Sequence, residues 1–354
     1  MEELQLIWGW QPALYLFLGG VGAGAFLAAG ILVFMDRERH RTIAGASMWA
    51  AIACLGVGLL LLLSELTNPL RGLLLWQSFS NHTSWMAFGA WAALLALVFF
   101  AVSALVVTRK TEALIVKAWP AFAAREHAVV TACVSAGMVL AACVAVYTGM
   151  LLMAVPGVPL WNTLLLPCLF TVSACDTGVA LVEVLAVVLV KRERLGRAAQ
   201  RFLEKAVVAL VLLEGVVLAL FAQVMLSGNV VDATALGSTA ATAAASMQLL
   251  VAGPLAPYFW GLLVGCGLVL PLAASLCCLV AGRKAKDETT GATDATGATG
   301  PGLHAVMVAG AAGAPLGRCT PPLLVLLAGG PAALVAHTPA PPWAATPTTM
   351  ITRT

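Results

Sequence analysis

The chain has 354 residues, 61% of them hydrophobic and only 10% charged, with a mean hydropathy of +0.97. Soluble proteins carry about 25% charged residues, and a globule of this composition would expose apolar side chains almost everywhere, so its solvent is lipid. A cytosolic enzyme, a secreted scaffold and a nucleic-acid binder are thereby excluded, and with a net charge of only +3 the placement of the basic residues carries the information.

A hydrocarbon core of about 30 Å takes roughly 20 helical residues. Seven apolar runs reach that length, at 12–35, 43–64, 84–108, 128–154, 163–190, 206–227 and 257–281. The first is no cleavable signal peptide, because it is too long, lacks a basic start and continues into a polytopic pattern. Beyond 281 the character changes. Residues 282–302, rich in Thr, Gly and Ala, read as a flexible linker. Residues 303–354 read as a broken eighth helix, interrupted by Pro315, Arg318, Pro321, Pro322 and Pro331, or as an irregular tail; a shifted reading frame after about Arg318 is a third alternative. The fold expected is an all-α polytopic transmembrane bundle, with residues 1–281 as the membrane unit.

Basic residues sort the connections into two classes. Arg37, Arg39 and Arg41 lie in the first; Arg109, Lys110, Lys117 and Arg125 in the third; Lys191, Arg192, Arg194, Arg197, Arg201 and Lys205 in the fifth; and Arg283, Lys284 and Lys286 come after the seventh run. The amino terminus and the even connections hold only Arg71. By the positive-inside rule the odd connections face the cytoplasm and the amino terminus lies outside. Leu16-Phe17 and Leu169-Phe170 each open a helix that ends at an Arg-Glu-Arg triplet, at Arg37 and Arg192, an echo that suggests two related four-helix bundles.

An ionisable group within a span costs roughly 2.5–3.5 kcal/mol on insertion scales, so each one asks for a reason. Asp176 and Glu183 are seven residues apart and share a helical face with Ser173, and Glu214 lies on the next span at a depth that would extend the row. The stripe is either an interhelical hydrogen-bonding network or a proton path. Tyr15 near the outer end of the first run, Glu65 at the end of the second and Tyr147 near the end of the fourth lie towards the same face. Taken singly, the tyrosines read as interfacial anchors; together with a carboxylate they form the kind of polar cluster in an apolar pocket that a quinone headgroup needs. Gly19, Gly20, Gly22 and Gly24 allow a close neighbour, a packed helix or a flat ligand.

Nine cysteines are present, but no CxxC or CxxCH, and no run holds a buried histidine pair: His40 and His127 border basic connections, His82 precedes the third run, and His304 and His337 lie in the tail. The protein is therefore expected to hold no metal, haem or iron–sulfur cluster. Any electrons it handles must pass to a partner.

Several segments resemble the NrfD or polysulfide-reductase membrane-anchor family: Trp10-Gln11-Pro12-Ala13-Leu14-Tyr15-Leu16-Phe17-Leu18-Gly19-Gly20, Asn68-Pro69-Leu70-Arg71, Thr83-Ser84-Trp85-Met86-Ala87-Phe88-Gly89-Ala90, Tyr147-Thr148-Gly149, and Leu166-Pro167-Cys168-Leu169-Phe170 with Ser173 and Gly178. The resemblance implies a subunit in a bacterial or archaeal cytoplasmic membrane that oxidises menaquinol, or reduces menaquinone. Its implied partners are a four-cluster ferredoxin-like iron–sulfur subunit and a molybdopterin catalytic subunit. Quinone-binding roles carry over to Tyr15 and Tyr147, and a proton-handling role to Glu65. A secondary transporter with a polar intramembrane path and a purely structural anchor are the competing readings.

Overall fold

The computed structural model describes residues 10–65, 85–154, 160–189, 195–227 and 237–277. Among these residues the protein is almost entirely helical, without strands: α1 (Trp10–Glu65), α2 (Trp85–Val107), α3 (Arg109–Ala118), a 3₁₀ turn at Pro120–Arg125, α4 (Glu126–Met153), α5 (Leu165–Val188), α6 (Arg197–Ser227), α7 (Gly237–Val251) and α8 (Ala256–Tyr258), which runs on into a π-helical stretch at Phe259–Val269. The linker at 282–302 and the tail at 303–354 lie outside the described residues.

Six helices among the described residues are long and apolar enough to cross a membrane. The sequence shows seven runs because the first two fall within α1, which breaks at Asp36 (φ −165°, ψ 93°). Asp36 acts as an N-cap for the second limb, its Oδ1 accepting a hydrogen bond from the Arg39 backbone N–H at 3.2 Å. The two limbs of α1 then lie side by side: a Cβ added at Gly22 would meet Ala51 and Leu55 backbone, and one at Gly58 would meet Tyr15 and Leu18. The eighth span expected at 303–354 falls among the residues not described.

Two further elements depart from the sequence reading. α6 begins at Arg197, well before the apolar run at 206, so Arg197, Arg201 and Lys205 stand on a helix and not in a connection. At about 1.5 Å per residue its 31 residues span about 46 Å, more than the hydrocarbon core. α7 occupies part of what the sequence leaves as an outer connection. Its 15 residues are too few to span, but Ala243, Met247 and Leu250 pack it into the core.

α5 lies against α1, α4 and α6, and α2 against α4 and α1. The α1–α5 crossing is made of small residues. A Cβ on Gly24 would fall on the Ala174 backbone, and one on Gly178 on the Gly24 and Ala25 backbone, so at this point two main chains touch with nothing between them. Phe26 and Phe100 stack, centroids 3.9 Å apart, where α1 meets α2. On the outside, Leu60, Val139 and Leu212 are 67%, 65% and 55% exposed. Such a surface is stable against lipid, and the protein is a multi-pass membrane protein.

Candidate functional site

At the end of the bundle that holds the start of α1, Tyr15 and Tyr147 are 2% and 3% exposed and a hydrogen bond joins their hydroxyls. Glycines make the room. A Cβ on Gly89 of α2 would lie inside the Tyr147 ring, and one on Gly58 would sit 3.4 Å from the Tyr15 Cδ2. Gly19 faces the same edge of the Tyr15 ring, its Cβ position 4.0 Å from Cε2. Tyr147 is followed by Thr148, whose hydroxyl is spent on the Ala145 carbonyl at 2.7 Å. The two phenols are thus the polar groups presented to each other at the junction of α1, α2 and α4. One hydrogen bond between two phenols commits one O–H, leaving the second O–H and the remaining lone pairs for a ligand.

Glu65 is the last residue of α1, and its side chain lies outside what the structure describes. Its backbone register is informative. Gly58 stands opposite Tyr15, and the seven residues from there to Glu65 cover about 10 Å at 1.5 Å each. Glu65 is therefore about two turns nearer the end of the bundle than the phenol pair, where the sequence reading puts all three at similar depth.

Deeper in the bundle, Asp176 and Glu214 are buried and Glu183 is half-buried. Asp176 lies two residues before Gly178 at the α1–α5 crossing, where main chain meets main chain. Glu183 interacts electrostatically with Asp176 on its own helix and with Glu204 on α6. Glu204 is buried and accepts a hydrogen bond from Gln200 Nε2 at 3.0 Å. The sequence reading missed Glu204 because it sits between Arg201 and Lys205, and the group looks like solvated loop charge until α6 is seen to start at Arg197. The available signal was its position ten residues before Glu214, close to three helical turns.

At the opposite end an ion-pair network locks the basic connections. Arg37 pairs with Glu126 and, at 3.9 Å, with Glu112; Arg41 pairs with Glu112 and, at 3.4 Å, with Glu38. Arg41 Nε also donates to the Val107 carbonyl at 2.7 Å, and Trp49 Nε1 to Thr108 Oγ1 at 3.2 Å. Among the described residues no group of three or more His, Cys, Asp or Glu is arranged to hold a metal ion.

These residues define a membrane helix bundle with paired phenols buried at one end, a row of acids in its interior and a basic surface at the other end. The sequence model of the family described as "Polysulphide reductase, NrfD" matches residues 2–285, and the chain belongs to that family. It is also similar to the C chain of polysulfide reductase from Wolinella succinogenes, with 31% identity over 285 residues, covering 77% of this chain and 83% of that protein.

Proposed function

We propose that this protein is the quinone-reactive membrane subunit of a respiratory oxidoreductase, oxidising menaquinol or reducing menaquinone and exchanging electrons with an iron–sulfur partner. The observation that carries the reading is the buried Tyr15–Tyr147 pair, walled by Gly19, Gly58 and Gly89. A hydrogen-bonding pair of phenols inside apolar packing suits a ring with two polar oxygens. The name of the Wolinella relative, the C chain of a reductase, supports a multi-subunit setting. A four-cluster ferredoxin-like subunit and a molybdopterin catalytic subunit are the partners whose chemistry completes it.

The quinol supplies two electrons and two protons, and the redox chemistry is its own. The protein contributes binding and proton handling. The uncommitted phenol O–H donates to a ring oxygen and fixes its position, while the linked phenol holds its neighbour in place. Glu65, about 10 Å nearer the end of the helix, receives protons leaving towards the outside and exchanges them with water there. Asp176, Glu183 and Glu204, with Glu214, form the row along which protons move between the cytoplasm and the bundle interior. The amino terminus is outside and the ion-paired connections are in the cytoplasm, as the distribution of basic residues argues.

The test is Tyr147→Phe in the assembled complex, which removes a hydroxyl and keeps the ring. A lost hydrogen bond of about 0.5–1.5 kcal/mol slows turnover of a short-chain menaquinol about two- to tenfold, with the complex still assembled. Unchanged turnover and unchanged inhibitor affinity in both Tyr147→Phe and Tyr15→Phe overturn the assignment.

A further inference from the structure

The connection between α2 and α4 holds α3 and the 3₁₀ turn, and it is pinned to the bundle at both ends. Arg37 pairs with Glu112 in the first turn of α3, at 3.9 Å, and with Glu126, the first residue of α4. Arg41, one turn further along α1, also pairs with Glu112 and donates to the Val107 carbonyl at the end of α2. One turn of α1 thus holds the end of α2, the start of α3 and the start of α4 at one level. Ile115 and Val116 pack on the core and Phe122 is buried, so α3 lies along the end of the bundle and does not project from it.

What α3 leaves uncovered differs from an ordinary water-facing connection. None of its residues is buried, Leu114 is 66% exposed, and Trp119, which ends the helix, is 65% exposed. At 3.6 residues per turn the helix divides into three sectors. Glu112, Ile115 and Val116 occupy the first, against the bundle. Thr111, Leu114 and Ala118 occupy the second, and Arg109, Lys110, Ala113 and Lys117 the third, which is exposed throughout. Two hydrogen bonds tie the second sector to the lipid-facing side of the bundle. Thr111 Oγ1 donates to the carbonyl of Leu105, a residue 38% exposed on α2, and Thr108 Oγ1, at the bend into α3, accepts from Nε1 of Trp49, 42% exposed on the second limb of α1. The Leu114 side of α3 is therefore continuous with a surface that already meets lipid.

We propose that α3 and Trp119 form an interfacial anchor seated in the leaflet at the basic end of the bundle, and that its partner is an anionic lipid surface. Leu114 and Trp119 enter the boundary between headgroups and acyl chains, where an indole is at home. The lysines of the third sector lay their stems along that boundary and keep their ammonium groups among the headgroups. Charge complementarity selects the lipid. Glu112 and Glu126, the carboxylates flanking this stretch, are taken by Arg37 and Arg41, while Arg109, Lys110, Lys117 and Arg125 are exposed and in no ion pair among the described residues. A surface of negative potential attracts such uncompensated basic residues. A soluble acidic protein would meet the third sector alone and leave Leu114 and Trp119, beside the lipid-facing side of α2, without a reason to be exposed. The anchor is independent of the quinone chemistry at the other end.

The experiment places the full-length protein, labelled with fluorotryptophan, in nanodiscs of phosphatidylcholine with or without phosphatidylglycerol. The fluorine resonance of residue 119 is the one lost in Trp119→Phe, or in Trp119→Tyr should the first variant fold poorly. Its broadening by a lipid carrying a nitroxide near the headgroup is compared with its broadening by a water-soluble gadolinium chelate. The lipid-borne label is expected to broaden it several times more than the chelate, and Leu114→Asp to reverse that order. With phosphatidylglycerol present, Lys110→Gln and Lys117→Gln each lower the ratio of the two effects by up to about fivefold, whereas Lys205→Gln, an exposed basic residue on α6, leaves it unchanged. Broadening by the chelate alone puts the face in water and overturns the anchor. Broadening by neither agent puts it under protein, a second copy included, and overturns it as well. A ratio unmoved by phosphatidylglycerol and by both α3 lysine variants overturns the anionic partner.

Discussion

Replacing Gly89 with alanine probes the paired phenols without touching either of them. A Cβ at position 89 would lie within the Tyr147 ring, overlapping Cζ and both Cε atoms. Non-bonded carbons rest about 3.5–4.0 Å apart, so the ring must withdraw by more than a bond length or α2 must move away from α4. The Tyr147 ring is packed in place at 3% exposure, and overpacking of this kind costs about 1–3 kcal/mol. Because α2 is itself packed on α1 and α4, the ring is what gives, and its withdrawal carries the hydroxyl away from that of Tyr15, since a hydrogen bond does not survive a displacement of that size. Gly89→Ala is therefore expected to lower the thermal midpoint of the reconstituted protein and to reduce menaquinol turnover at least as much as Tyr147→Phe does. Combining Gly89→Ala with Tyr147→Phe should cost less turnover than the two changes multiplied, since both act through one hydroxyl. Wild-type turnover and midpoint in Gly89→Ala, or fully multiplicative effects in the double variant, would refute the idea that Gly89 serves by making room for Tyr147.

Gly178→Ala sets a methyl against the Gly24 backbone and should lower the midpoint by more than Gly89→Ala, because main chain yields less than a ring; a midpoint equal to wild type by thermal melting contradicts the packing described. Asp176→Asn keeps shape and hydrogen bonding but cannot ionise, so proton uptake or release per electron should change in proteoliposomes; full electron transfer with the wild-type proton count makes the acid structural. Cysteine labelling from each side should place residues 191–205 in the cytoplasm and residues 230–256 outside, and the reverse pattern would undo the proposed direction of the proton row.

Helix positions were legible because an apolar run of sufficient length has few alternatives in lipid. Tyr15 and Tyr147 could be matched across more than a hundred residues from span direction alone, and the structure brings them into hydrogen-bond contact. Other features depend on which face meets which neighbour, and spans that are apolar all round do not reveal that. Gly89 stood within a segment that carries the family resemblance, but nothing in the sequence tied it to the Tyr147 ring that occupies its missing side chain. Glu112 and Glu126 stand among basic residues and drew no reading from the sequence, yet they hold Arg37 and Arg41 through contacts made only when α3 and α4 return to α1. Glu204 was hidden by the reverse error, a helix that starts earlier than its apolar run. The relative depth of Glu65 needed the limb-to-limb register that Gly58 fixes.

The phenol pair also has a timetable. Its two members are separated by about 130 residues of sequence, which a ribosome making about 5–20 residues per second needs roughly 7–26 s to produce. The two limbs of α1 pack on each other through Gly22 and Gly58, so this hairpin can enter the bilayer as a unit early in synthesis. Through that interval the Tyr15 hydroxyl sits in a newborn hairpin without the group it will finally face. The growing polypeptide must therefore keep that edge of α1 hydrated or covered by the translocation machinery, and the arrival of α4 marks the moment the nascent protein becomes chemically complete at this end.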